Sequence, residues 1–165
     1  MSTHPKKNDA KRVLGLEPGT PHLVALAATT PGDFLSDLLS VIYVCDDQDP
    51  EISVMCAGNN SLFRLLQEDL GHLNTIHLYD TANKESLLLD SADLLLTDRL
   101  DSVLTKALKR RLPLVLIGSA AQENTIFRLV RQGCAAAADD CIELAEICIR
   151  LLNNEDLRAK MSEAI

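Results

Sequence analysis

The chain has 165 residues and a net charge of −8 at pH 7, with 24 acidic against 16 basic residues. That length is enough for a sizeable core, since a domain of ~150 residues hides roughly 70% of its unfolded surface. The acidic balance, with no basic stripe interleaved with aromatics, excludes a phosphate-backbone binder, so nucleic acid is not an expected partner.

Taken in order, residues 1–20 are polar, carry Pro5, Pro18 and Gly19, and read as a tail or linker leading in. The start lacks the apolar stretch of a signal peptide, and no run is long enough to span a bilayer. A soluble, cytoplasmic chain with no transmembrane segment is expected. LVALAA predicts a first strand over 23–28. Thr30-Pro31-Gly32-Asp33 then offers an N-cap, a proline at the first helical position and an acid three residues after the cap. The helix that follows should bury Leu35, Leu38, Leu39 and Ile42. After the turn DDQDPE comes a second strand over 52–57. Gly58-Asn59-Asn60 opens a helix with Leu62, Leu65 and Leu66 inward, stopped by Gly71. A third strand is expected over 75–78, then the loop YDTANKE and a brief helix over 87–92.

Residues 92–133 form the most informative stretch. An apolar run at Leu94, Leu95 and Leu96 is followed by Leu100, Val103, Leu104, Ala107 and Leu108, the spacing of one buried helical face. Asp98 stands at the N-cap position, and Lys109, Arg110 and Arg111 crowd the end that favours cations. A second apolar run, 114–117, and a helix ending at Gly133 complete a βαβ unit with a parallel pair. A last strand over 134–138, a helix opened by Asp140 with Glu143, and a polar helix from about Glu155 finish the chain.

Six strand–helix alternations with near-continuous apolar strands define a doubly wound, Rossmann-like parallel α/β sheet of about six strands with helices on both faces. Its central strands are expected at 23–28, 94–97 and 114–117, in one domain over 21–165. Ligands of such sheets sit beyond the carboxyl ends of the strands, where strand order reverses. The loops 28–33, 57–60, 79–84, 97–102 and 117–124 are therefore the candidate site.

Individual polar residues carry little chemistry by pattern. Cys45, Cys56, Cys134, Cys141 and Cys148 form no CxxC pair; Cys141 and Cys148, seven apart on one helix, read as small buried hydrophobes in a reducing compartment. His22, His72 and His77 show no partner pattern, and His77 reads as a packed or edge histidine. Asp46, Asp47 and Asp49 read as a solvated turn. No cofactor or metal is implied.

Longer runs carry a resemblance. RVLGLEPGTPHLVAL from Arg12, CAGNN from Cys56, SADLLLT from Ser91, KALKRRLPLVL from Lys106, and AQEN followed by RLVRQGCA are similar to the C-terminal half of a GT-B glycosyltransferase. The nearest group is the monogalactosyldiacylglycerol synthase and processive diacylglycerol glucosyltransferase family, with MurG-type enzymes more distant. The resemblance covers the chain after the tail, which itself resembles those enzymes' interdomain linker. It implies a UDP-sugar as ligand and an N-terminal acceptor-binding domain, or a partner chain, that supplies most of the catalytic base chemistry. No catalytic residue is implied in this half.

Carried over residue by residue, the resemblance implies sugar-nucleotide contacts at Thr29, Thr30, Gly58, Asn59, Ser102, Gln122 and Glu123. The same positions have simpler readings: Thr30 with Asp33 as a helix cap, Gly58-Asn59-Asn60 as strand-to-helix turn chemistry, and Gln122-Glu123 as a helix opening. The departures are specific. The family's paired glycines and ribose-binding Glu are replaced here by Leu100, Asp101 and Lys106, and the loop after the first strand keeps one glycine, Gly32. Scaffold positions match better than ligand positions. Two functional classes follow: the UDP-hexose-binding domain of a glycolipid hexosyltransferase, inactive alone, or a degenerate interaction or regulatory module that kept the fold and lost UDP. The stretch from Ala92 also echoes a response-regulator receiver, but the acidic pair after the first strand and the Lys after the fifth are missing.

Overall fold

The computed structural model describes residues 5–26, 40–44, 50–56, 60–70, 76–79, 82–97, 102–117, 128–138 and 141–165. In chain order these are α1 (Pro5–Val13), β1 (His22–Leu26), the helical residues 40–44 (α2), β2 (Glu51–Met55), α3 (Asn60–Leu70) and β3 (Ile76–Tyr79). A 3-10 turn (Ala82–Lys84), α4 (Glu85–Ser91), β4 (Leu94–Thr97), α5 (Ser102–Lys109) and β5 (Leu114–Ile117) follow. Helical residues 128–131 (α6), β6 (Ala135–Ala138), α7 (Cys141–Leu152) and α8 (Glu155–Glu163) complete the chain.

The six strands form one parallel sheet in the order β3-β2-β1-β4-β5-β6. Because successive side chains alternate faces, each strand feeds two cores. Leu23 and Ala25 of β1, Ile52 and Val54 of β2, and Leu94 and Leu96 of β4 pack with α2, α3, α7 and α8. Val24, Leu26, Met55, Leu95, Leu114 and Leu116 pack on the other face with α4, α5 and Leu129 of α6. This is why the central strands read as unbroken apolar runs: both their faces are covered.

The βαβ unit is built as its periodicity predicts, with Val103, Leu104 and Ala107 of α5 buried; Asp98 and Leu100 lie outside the described residues. Strand ends shift by a residue or so: β1 begins at His22, β2 at Glu51, and β3 runs from Ile76 to Tyr79. One inward residue is corrected. On α3 Leu66 is fully buried whereas Leu65 is 41% exposed, because the helix phase centres Leu66 on the sheet and turns Leu65, about 100° away, to the flank.

The polar lead-in differs most from its sequence reading. Residues 5–13 form α1, which docks against α4. Gly15, at φ 79°, closes α1: the Leu16 amide donates to Lys11 O and the Gly15 amide to Arg12 O. This is a Schellman cap, whose left-handed position favours glycine.

The burial contrast on α3 has a direct test. Leu66→Ala should lower urea-unfolding stability by about 2–5 kcal/mol and Leu65→Ala by less than about 1 kcal/mol. Equal losses would contradict the face assigned to α3.

Candidate functional site

All six strands run the same way, so their carboxyl ends share one edge of the sheet. From β1 the chain first extends through β2 and β3 on one side, then returns to place β4, β5 and β6 on the other. The switch point is the seam between β1 and β4, and the crevice above it is where ligands of such sheets bind. At that seam Leu26 and Thr97 stand in register, and the buried Thr97 Oγ1 donates to Leu26 O at 2.7 Å. Next to it Cys56 is buried, and its amide donates to Tyr79 O at 3.0 Å. The ends of the strands are thus fixed by their own hydrogen bonds before any ligand is considered.

Of the residues singled out from sequence, Ser102 lies in the described structure. It opens α5, directly after β4, and is exposed. The first turn of α5, from Ser102, contains no acid. Thr29, Thr30, Gly58, Asn59, Gln122 and Glu123 lie outside the described residues, as do Leu100, Asp101, Asp33, His72 and the aspartates at 46, 47 and 49. Lys106, the residue standing where the resemblance would place a ribose-binding Glu, is committed elsewhere: its Nζ donates to Glu85 Oε1 of α4 at 2.9 Å.

The opposite edge of the sheet carries a polar cluster that has no signature in sequence. Asp93, just before β4, accepts three hydrogen bonds: from Lys11 Nζ at 2.7 Å, Lys7 Nζ at 3.1 Å and the His22 amide at 2.9 Å. Lys11 is itself buried and also donates to Thr20 O at 2.8 Å and Pro18 O at 3.3 Å. Burial works against the Asp93 carboxylate, but Lys7, Lys11 and the hydrogen bonds from Lys11 and the His22 amide overcome it and hold its pKa below the ordinary value.

His22, which shows no partner pattern in sequence, is fully buried between two hydroxyls: Nε2 lies 2.7 Å from Ser53 Oγ and Nδ1 lies 3.0 Å from Ser91 Oγ. Ser91 Oγ donates its one proton to Leu88 O at 2.9 Å. It therefore accepts from Nδ1–H, leaving Nε2 to accept from Ser53, a tautomer assigned from the network. Burial pushes the imidazole down to about 4, with Asp93 opposing and Lys11 assisting. A neutral, enclosed histidine is a structural joint and offers no proton to a substrate. His77 instead pairs with Glu51 at 2.8 Å on the half-buried outer strand. Cys56, Cys134 and Cys148 are buried thiols. Among the described residues no three His, Cys, Asp or Glu side chains gather where a metal could be held, and no helix is long and apolar enough to cross a membrane.

No protein-family model matches the chain, and no curated protein matches it. Solved structures do. One is WaaG, a glycosyltransferase involved in lipopolysaccharide biosynthesis, with a TM-score of 0.76 at 18% identity over 98% of this chain and 46% of that one. Another is UDP-GlcNAc 2-epimerase from Neisseria meningitidis bound to UDP-GlcNAc, with a TM-score of 0.75 at 13% identity over 94% and 43%. A third is the C-terminal CMP-Kdo binding domain of WaaA from Acinetobacter baumannii, with a TM-score of 0.69 at 10% identity over 98% and 96%. The chain spans less than half the length of the first two and nearly all of the third. At these identities the likeness defines the fold alone, a Rossmann-like parallel α/β sheet.

The His22 joint gives stability a pH dependence of defined sign. The folded pKa, about 4, lies below the unfolded value near 6.5, so between them the unfolded chain binds the extra proton. The contribution is intact above about pH 6.5, declines as pH falls, and is lost by about pH 4. The total is about 3 kcal/mol. Urea unfolding of the wild type should show this decline, and His22→Gln, although destabilised throughout, should show a flatter profile across the window. An unchanged slope in the variant would contradict the assignment.

Proposed function

We infer that the chain is the nucleotide-sugar-binding C-terminal domain of a cytoplasmic, glycosyltransferase-like protein, and that it is inactive alone because transfer needs a separate acceptor-binding half. The carrying observation is end-to-end correspondence with a solved C-terminal CMP-Kdo binding domain, 98% of one chain on 96% of the other. The strand-order reversal between β1 and β4, with Ser102 at the N-terminus of α5, is consistent with a diphosphate approaching that edge. The sequence resemblance narrows the donor to a UDP-hexose and the acceptor to a glycolipid precursor. On this reading Thr29, Thr30, Gly58, Asn59, Gln122 and Glu123 complete the ligand shell around Ser102.

A second reading, a degenerate interaction module that has lost UDP, is favoured by Lys106. That side chain is held by Glu85 and so does not replace the ribose contact, while Leu100 and Asp101 stand where the resemblance requires glycine. Each lost hydrogen bond to a charged group removes ~1.5–3 kcal/mol, and two such losses weaken a micromolar ligand to roughly millimolar.

Calorimetric titration separates the readings. UDP should saturate one site with Kd no tighter than about 1 mM, Leu100→Gly with Asp101→Gly should tighten it by about tenfold, and the isolated chain should transfer no sugar to a lipid acceptor. If neither the wild type nor the double variant takes up UDP, the degenerate module stands. Low-micromolar binding by the wild type eliminates it, and turnover by the purified chain would refute inactivity of this half.

A further inference from the structure

A cavity lies at the edge of the sheet where the strands begin, opposite the carboxyl ends of β1 and β4. It has a volume of about 670 Å³ and is walled by α1, the segment following α5, and α8. Pro21, Asp93 and Pro113, which precede β1, β4 and β5, form its floor. Although the chain is strongly acidic, six of its 16 Lys and Arg residues line this one cavity, against three acids.

The six cations are not equivalent. Lys7 and Lys11 are consumed by Asp93. Arg110 reaches Asp90 at 2.7 Å, and Arg158 Nη1 donates to Leu151 O and Leu152 O at 2.7 and 2.8 Å. Both guanidiniums are thereby held in place with donors remaining, since each carries five N–H groups. Lys109 and Arg111, both exposed, have no side-chain partner among the described residues. The cavity therefore combines two oriented guanidiniums with two uncommitted cations, a donor set suited to phosphate oxygens.

Backbone conformation at Arg111 points the same way. Among the described residues, three helices end in the same Schellman arrangement, closed at the left-handed position by Gly15 after α1, Gly133 after α6, and Arg111 after α5. At Arg111 the φ is 55°, with the Leu112 amide donating to Ala107 O and the Arg111 amide to Leu108 O. A side chain in this conformation carries backbone strain that glycine avoids. Stability therefore favours glycine at this cap, and the sequence instead places a cation there. Ser162 Oγ of α8 locks the same peptide by donating to Arg111 O at 2.8 Å.

We propose that this cavity, lined by Lys109, Arg110, Arg111 and Arg158, binds a small anion carrying two or more phosphate groups. Its concavity and the acids Glu155 and Glu163 in its wall favour a discrete molecule over a flat anionic membrane. The site is independent of the crevice between β1 and β4.

The test titrates the full chain with inorganic tripolyphosphate by calorimetry at about 50 mM salt, where surface charge is moderately screened. Saturable one-to-one binding tighter than about 1 mM is expected. Lys109→Ala with Arg111→Ala should weaken it by at least about tenfold. Arg111→Gly should weaken binding while leaving thermal stability equal or higher, which separates loss of the ligand contact from damage to the fold. Absence of saturable binding, or unchanged affinity in the double variant, would overturn the proposal. So would co-sedimentation with phosphatidylserine-containing vesicles that tripolyphosphate fails to compete, since that places the charge at a membrane surface.

Discussion

The carboxylate of Asp93 joins parts of the chain that sequence keeps far apart. It sits at the entrance to β4, accepts the first amide of β1, and receives two lysines from α1. The Asp93 amide in turn donates to His22 O at 2.9 Å, so the β1–β4 pairing begins with a two-way clasp at one edge. At the far end of the same seam, Thr97 closes onto Leu26 O. Register along β1 and β4 is thus held at both ends, and this seam is the switch point of the sheet. A carboxylate withdrawn from water is tolerable only when its partners are present, which is why α1, largely polar, packs on the body at all.

The two edges of the sheet differ in chemistry because the chain is parallel throughout. Strand carboxyl ends and the N-terminus of α5 converge on one edge, where helix dipoles favour an anion. The other edge gathers strand entrances and the carboxyl ends of α1 and α5, where the dipole favours cations. Arg110 and Arg111 follow α5 there, and Lys11 and Arg12 end α1. The two edges of the sheet thus differ in which helix ends and which charged side chains they gather.

Most of the fold was legible because its determinants are local. The unbroken apolar runs at 94–96 and 114–117 and the spacing of Val103, Leu104 and Ala107 specify a parallel sheet covered on both faces. What escaped had a different physical basis. Helix α1 has one buried small hydrophobe, Ala10, and anchors through the long stem and ammonium of Lys11, so an apolar periodicity does not reveal it. The partners of His22, Ser53 and Ser91, are 31 and 69 residues away in sequence and meet only once β1 pairs with β2 and α4 folds back. Leu65 and Leu66 are indistinguishable by composition, and only the phase of α3 separates them. For the ligand shell, sequence pointed to loops past the strand ends. Ser102 stands at the expected edge, while the other candidates lie beyond the described residues.

The location of UDP decides between the two edges of the sheet. Backbone amide chemical shifts recorded during a UDP titration report it directly. The expected shifts concentrate at Leu26, Cys56, Thr97 and Ser102, around the seam between β1 and β4. Shifts confined to residues 109–113 and 155–163, with the β1–β4 edge unmoved, would contradict a nucleotide-sugar crevice at the switch point.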